Sequence, residues 1–262
     1  MVLIIGELIN STRDQVKQAL QSRNEDLIRR LARTQYEAGA EVLDLNAAES
    51  MEEELRDMEW LIAVTQDEIQ DIRIAIDTAD PEVMATGLEK AINKPVINSI
   101  TNEEDNRPIR ELAAKYDVEV IGLAMGERGI PKKIDDRVRE TRDLLEKCNR
   151  MGISRDRLYV DVVAMSVAGS PGQGRYAIET IREIKDAHGV RTCIGLSNIS
   201  FNLPNRSLLN RTFFALLLEA GLDAVLLDPT AKNMIGVLQA TKALLGEDEH
   251  CLEYLEYIRS ND

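Results

Sequence analysis

Short apolar runs alternate along the chain with longer stretches in which apolar positions recur every three or four residues. The runs are VLIIG (2–6), EVLDLN (41–46), IRIAID (72–77), PVINS (95–99), VEVIGLAM (118–125), RLYVDVV (157–163), TCIGLSN (192–198) and DAVLLD (223–228). They are continuous rather than alternating and rich in Val, Ile and Leu, which suits parallel strands buried on both faces. The stretches between them predict helices over residues 13–38, from near Met51, from Pro81, from near Glu103, and over 134–150, 175–187, 207–219 and 231–245. Pro81 suits a first helical turn. Eight strand–helix units in succession predict one (β/α)8 barrel over residues 1–262.

A doubly wound open sheet is the structural alternative. It would normally carry a glycine-rich dinucleotide turn after its first strand, whereas this chain reads Gly6-Glu7-Leu8-Ile9-Asn10 there. EAGAEVLDLN (37–46) and EAGLDAVLLDP (219–229) share one pattern of helix end, glycine and strand. The glycine suits a left-handed residue closing a helix. The tail GEDEHCLEYLEYIRSND (246–262) predicts a last helix, lying on the barrel bottom or on a partner subunit.

Composition narrows the chemistry. The length of 262 residues sits near the roughly 250 of such barrels. A net charge of −14 repels nucleic-acid phosphates, so no nucleic-acid partner is expected. No apolar run approaches the roughly 18 residues of a membrane span, and the start MVLIIGELIN lacks a basic leader. A cytoplasmic protein without a membrane partner is expected. Three scattered cysteines argue against a disulfide framework. Two histidines leave no histidine-based metal site.

The C-terminal ends of barrel strands form the active face. Here they offer Glu7 and Asn10, Asp44 and Asn46, Asp77, Asn98, Gly122, Asp161, Gly195 to Asn198, and Asp228. These are acids and amides, with no lysine for a Schiff base and no histidine cluster for a metal hydrolase. The glycine-rich AGSPGQG (168–174) follows strand six rather than strands seven and eight, so it reads as a flexible loop. Carboxylates and amides together pair with the N–H and C=O edge of a neutral heterocycle. Blander roles stand beside this one. Asp44 and Asp228 could cap helices, Asn98 and Asn198 could be turn amides, Glu7 and Asn10 could hold loops, and Trp60 could be core.

IIGELIN (4–10), GAEVLDLN (39–46), MEWLIAVTQ (58–66), IAIDT (74–78), PVINSIT (95–101), VIGLAM (120–125), GIPK (129–132), YVDVV (159–163), GLSNISF (195–201) and NRTFFALLLEAGLDA (210–224) carry a family resemblance across nearly the whole chain. The chain resembles the pterin-binding methyltransferases that move a methyl group between tetrahydrofolate and a corrinoid protein. Leu8 stands where these enzymes more often have arginine, and residues 200–206 vary among them. The resemblance implies that Asp77, Asn98 and Asp161 hydrogen-bond the pterin ring, that Gly195 and Ser197 wall it, and that Asn198 lies near N5. Asn198 is then expected to be catalytic through a hydrogen bond to N5, with water or a network including Asp161 completing the proton path. It implies support from Asp44 and Asn46, and an approach of Arg206 to the benzoyl-glutamate end. It also implies tetrahydrofolate or 5-methyltetrahydrofolate as substrate, and a homodimer.

The cobalamin-type corrinoid would come on a partner protein, because D-x-H-x-x-G is absent. Asp186-Ala187-His188-Gly189 approaches that motif, but position 191 is Arg. Such a partner would dock over a wide, open mouth. Two rivals remain. A dihydropteroate synthase would want basic residues where GLSNIS and LLDP stand, and a non-catalytic folate-binding subunit would need no chemistry at all.

Overall fold

The structure, a computed structural model, describes residues 2–48 and 53–261. Its strands are β1 (Leu3–Asn10), β2 (Val42–Asn46), β3 (Arg73–Asp77), β4 (Val96–Ile100), β5 (Glu119–Leu123), β6 (Leu158–Asp161), β7 (Arg191–Gly195) and β8 (Ala224–Leu227). They pair in parallel in chain order, and β8 returns to β1, closing the barrel. The open-sheet alternative is excluded.

The outer ring holds α1 (Asp14–Ser22), α2 (Glu25–Glu37), α3 (Glu54–Glu68), α4 (Pro81–Lys90), α5 (Arg107–Lys115), α6 (Ile134–Arg150), α7 (Gln173–His188), α8 (Arg206–Glu219) and α9 (Met234–Leu245), and α10 (Leu252–Asn261) follows. No helix among the described residues is long and apolar enough to cross a membrane.

Four elements differ from the sequence reading. The helix expected over 13–38 is two helices. Arg23 closes α1 in the left-handed region, and the Asn24 side chain caps α2 by accepting from the Leu27 N–H at 3.1 Å. The helix expected near Met51 starts at Glu54, and Met51 itself lies outside the described residues. β1 runs on to Asn10, where Asn10 pairs with Asn46. β7 stops at Gly195, and residues 196–200 wind into a 3-10 turn instead.

The tail forms the expected helix, but α10 packs on α9 rather than under the barrel. Tyr257 lies against Gly236, where an added Cβ would meet its ring at 3.0 Å. Trp60 is half-buried against the outer core, with the Arg23 guanidinium 5.1 Å from its ring centre.

Strand periodicity of two decides what enters the barrel. Ile5, Val42, Ala75, Val96, Ile121, Tyr159, Cys193 and Ala224 meet inside as a sealed apolar layer. Below it, Glu119 accepts from Arg73 at 2.5 Å and from Arg191 at 2.8 Å, and Arg191 stacks on Tyr159 at 3.8 Å. These groups plug the bottom. The outward strand residues and the inner helix faces form the larger core between the layers.

Candidate active site

One step further along β1, β2, β3, β4 and β6, the same inward parity becomes polar, while β5 and β8 keep Leu123 and Leu226. Above Ile5 comes Glu7, above Val42 come Asp44 and then Asn46, above Ala75 comes Asp77, above Val96 comes Asn98, and above Tyr159 comes Asp161. The register sets Asn46 beside Asp77 and Asp77 beside Asn98. An apolar floor therefore carries a ring of acids and amides.

The ring is hydrogen-bonded within itself. Asn98 Nδ2 donates to Asp44 Oδ1 at 3.0 Å, reaching past β3. Asn46 Nδ2 donates to Asp77 Oδ2 at 3.0 Å, and its Oδ1 accepts from Ser11 at 2.6 Å. Asp44 is 3% exposed and caps no helix, so that role fails. Asp80 caps α4 instead, accepting from Glu82 and Val83, which leaves Asp77 to the barrel. Asp228 and Asn10 do serve loops, each accepting from a threonine two residues on.

Burial dominates the electrostatics. It pushes the Asp77 carboxyl up to about 6, against the Asn46 hydrogen bond and aided by Glu54. Asp44 is pushed well above the usual carboxylate range by burial and then by the Asp77 charge, with Asn98 opposing. Two facing carboxyls at this depth disfavour double ionisation. Asp161 rises to about 6 through burial, held back by the Val163 N–H, then Arg137 and the Gly195 N–H.

Val163 donates to Asp161 Oδ1 at 2.7 Å from a left-handed conformation, φ 55°. A β-branched residue is strained there, and such strain gathers at working sites.

At the rim, the turn after β7 folds over the end of β8 towards β1. Ser197 Oγ donates to Glu7 Oε1 across that gap at 2.5 Å. Asn198 is exposed, and among the described residues nothing bonds its side-chain amide. Its Nδ2 lies 3.1 Å from where a Cβ on Gly195 would stand, so glycine leaves the amide room to swing. Arg206 spends its guanidinium on the protein, donating to Ser197 O at 2.7 Å and to Ser200 Oγ at 3.1 Å.

Glu7, Asp44, Asn46, Asp77, Asn98, Asp161, Gly195, Ser197 and Asn198 thus come together at the mouth, Gly122 faces Leu144 in the helix layer, and Arg206 braces the turn from outside. Two further residues support the ring. Arg137, 2% exposed on α6, donates to Val162 O at 2.8 Å and is the cation that favours an ionised Asp161. Glu54 at the start of α3 accepts from Thr78 at 2.5 Å and raises Asp77. A charged helix residue normally faces water, so neither stood out in the sequence.

The profile of the family described as pterin binding enzyme matches residues 6–228. The chain belongs to the pterin-binding enzymes. Within them it is a methyltransferase. It is 32% identical over 267 residues to a methylcorrinoid:tetrahydrofolate methyltransferase from Eubacterium limosum, with 98% of this chain and 96% of the relative covered.

It is 29% identical over 240 residues to a methionine synthase from Mycobacterium leprae, covering 86% of this chain but 20% of that protein. A solved dihydropteroate synthase from Xanthomonas albilineans superposes with a TM-score of 0.69 at 19% identity, over 92% of this chain and 93% of that one. That likeness speaks for the pterin-binding barrel fold alone.

Proposed function

We propose that this chain transfers a methyl group between the cobalt of a corrinoid protein and N5 of tetrahydrofolate, in the direction that the Eubacterium limosum relative's name gives. One observation carries the reading: Asp77, Asn98 and Asp161 stand at one depth above a closed apolar floor, with the uncommitted Asn198 amide at their rim.

A pterin presents a flat face and an edge of ring N–H, amino and carbonyl groups. The floor takes the face. Asp161 and Asp77 accept from the N–H edge, and Asn98 donates and accepts beside them. Asp44 fixes the Asn98 amide and Asn46 fixes the Asp77 carboxylate, so the ring is met by groups already oriented. Ligand N–H groups then stabilise the charge that burial alone disfavours.

N5 must change its bonding during transfer. In the reverse direction N5 is the leaving group; departing unprotonated it would be an amide anion, so hydrogen bonding or proton donation there lowers the barrier. Asn198 supplies that hydrogen bond from the rim. An amide holds no ionisable proton, so the net proton has another home.

The corrinoid would supply the methyl carbon and accept the electron pair of its broken bond. His188 and His250 both lie at the helix ends opposite the mouth, so a corrinoid at the mouth fits a partner protein and not a ligand from this chain. A homodimer working in the cytoplasm completes the reading, and sedimentation tests the dimer. Equilibrium binding of 5-methyltetrahydrofolate to wild type, Asp77→Ala and Asn98→Ala tests the site. Equal affinity in all three would end the assignment.

A further inference from the structure

Glu7 rises inside the barrel on the inward parity of Leu3 and Ile5, one step above the apolar layer. Its side chain is 16% exposed. Ser197 Oγ donates to its Oε1 at 2.5 Å, and Arg13 Nη2 lies 3.7 Å from the same oxygen. Arg206 and Asp228 add charge from α8 and from the end of β8. On the β2 side its charge is felt by Asp44.

A bracing role alone does not explain an acid at this place. The 3-10 turn is already held by Arg206 on Ser197 O and Ser200 Oγ, by Val167 N–H on Ile199 O, and by Ser166 Oγ on Phe201 O. A glutamine would accept from Ser197 equally well, without the cost of burying a charge. What the carboxyl adds is a titratable proton one residue from Asn198. Asp161 is committed to the Val163 N–H on the other side of the ring.

We infer that Glu7 is the proton holder for N5 and that Ser197 is the hydroxyl through which the proton passes. This rests on the pterin reading of the same mouth. In the proposed direction, the lone pair of N5 forms the N5–CH3 bond. The carbon–cobalt bond breaks, and its electron pair stays on cobalt. N5 is then cationic and carries one hydrogen too many. That proton passes to Ser197 Oγ as the Ser197 hydroxyl proton passes to Glu7, which ends as a neutral carboxylic acid. In reverse, Glu7 returns the proton by the same path, and N5 leaves as a neutral secondary amine.

The surroundings suit the task. Burial raises the Glu7 carboxyl above its usual range. The Ser197 bond and Arg13 oppose this, Asp228 adds to it, and Arg206 again opposes. A proton carrier works best when its pKa approaches the operating pH. Glu7 acts through Ser197, so it is a positioning residue whose titration is its function.

The test compares wild type, Glu7→Gln, Glu7→Asp and Ser197→Ala. Proton exchange on binding 5-methyltetrahydrofolate is measured by calorimetry in buffers of different ionisation heat, with no corrinoid present. Wild type and Glu7→Asp are expected to exchange protons along a pH curve. Glu7→Gln loses the Glu7 part of that curve and keeps the part from Asp77 and Asp161 at about 6. Its affinity stays within about threefold, and methyl transfer to free cob(I)alamin falls about 100-fold and loses the Glu7 limb of its pH profile.

Ser197→Ala keeps Glu7 but slows transfer, which covers the case of a Gln variant that does not fold. An unchanged proton curve in folded Glu7→Gln, or full transfer in Ser197→Ala, would overturn the inference. Failure of wild type to bind the folate would instead overturn the pterin reading itself.

Discussion

Asn98 on β4 donates to Asp44 on β2 at 3.0 Å, across the strand that carries Asp77. The bond ties three strands at one level and sets the Asn98 amide in one orientation, nitrogen towards Asp44 and oxygen available to a ligand. It also leaves two carboxyls side by side under poor solvation.

That pair of buried carboxyls lowers stability at neutral pH. Asp77 titrates at about 6 in the folded chain, above its ordinary range. The fold therefore favours the neutral acid. This contribution is fully present at low pH and is lost as pH rises through about 6. Asp77→Asn should raise unfolding stability by about 1–3 kcal/mol at pH 7.5 and by less at pH 5.5. The same variant should bind the folate about 10–100-fold more weakly. Thermal melts at the two pH values, with a binding isotherm, check both halves.

Arg137 should be felt through Asp161. It favours the ionised carboxylate from within the core and donates to Val162 O beside it. In Arg137→Met the Asp161 carboxyl should rise above its present value of about 6. The acid limb of folate binding should then move to higher pH, while affinity well above that limb falls less. Isotherms across a pH series check the shift.

The bottom plug should matter for stability and not for the mouth. Glu119 is held below its usual range by Arg73 and Arg191, against the burial that opposes them. Its contribution is present above the ordinary glutamate range and is lost as pH falls through the lowered folded value. Glu119→Gln leaves two arginines facing each other in a partly buried layer. A loss of about 2–3 kcal/mol is expected, with folate affinity unchanged. Denaturant unfolding, together with one isotherm, checks it.

Asn198 is the reverse case. Its side chain makes no structural bond among the described residues, so Asn198→Ala should melt like wild type. Methyl transfer should fall on the order of 100-fold, with folate affinity within a few-fold. Single-turnover spectroscopy of the cobalamin checks the rate.

The barrel was legible because eight near-continuous Val/Ile/Leu runs admit few other arrangements. Asp77, Asn98 and Asp161 were legible because a polar residue ending such a run must face the mouth. Asp44 lies inside β2, two residues before its end, and only the register shows that its side chain joins the same ring as Asp77 and Asn98.

Ser197 and Asn198 were read as strand. A continuous apolar run does not mark where a strand gives way to a short 3-10 turn. The break at Arg23 and Asn24 was hidden inside one helical period, because a left-handed arginine carries no sequence mark. Arg137 and Glu54 were invisible for another reason. Helices carry many charges, and only packing decides which of them turn inward.

The most direct test mixes 5-methyltetrahydrofolate with free cob(I)alamin and follows the cobalamin spectrum for wild type and Asp77→Ala. By microscopic reversibility the same site serves both directions. Formation of methylcob(III)alamin with wild type, and a loss of about 10-fold or more with the folded variant at subsaturating folate, is the predicted result. No formation with wild type, or equal formation with Asp77→Ala, would contradict a pterin seated on this ring.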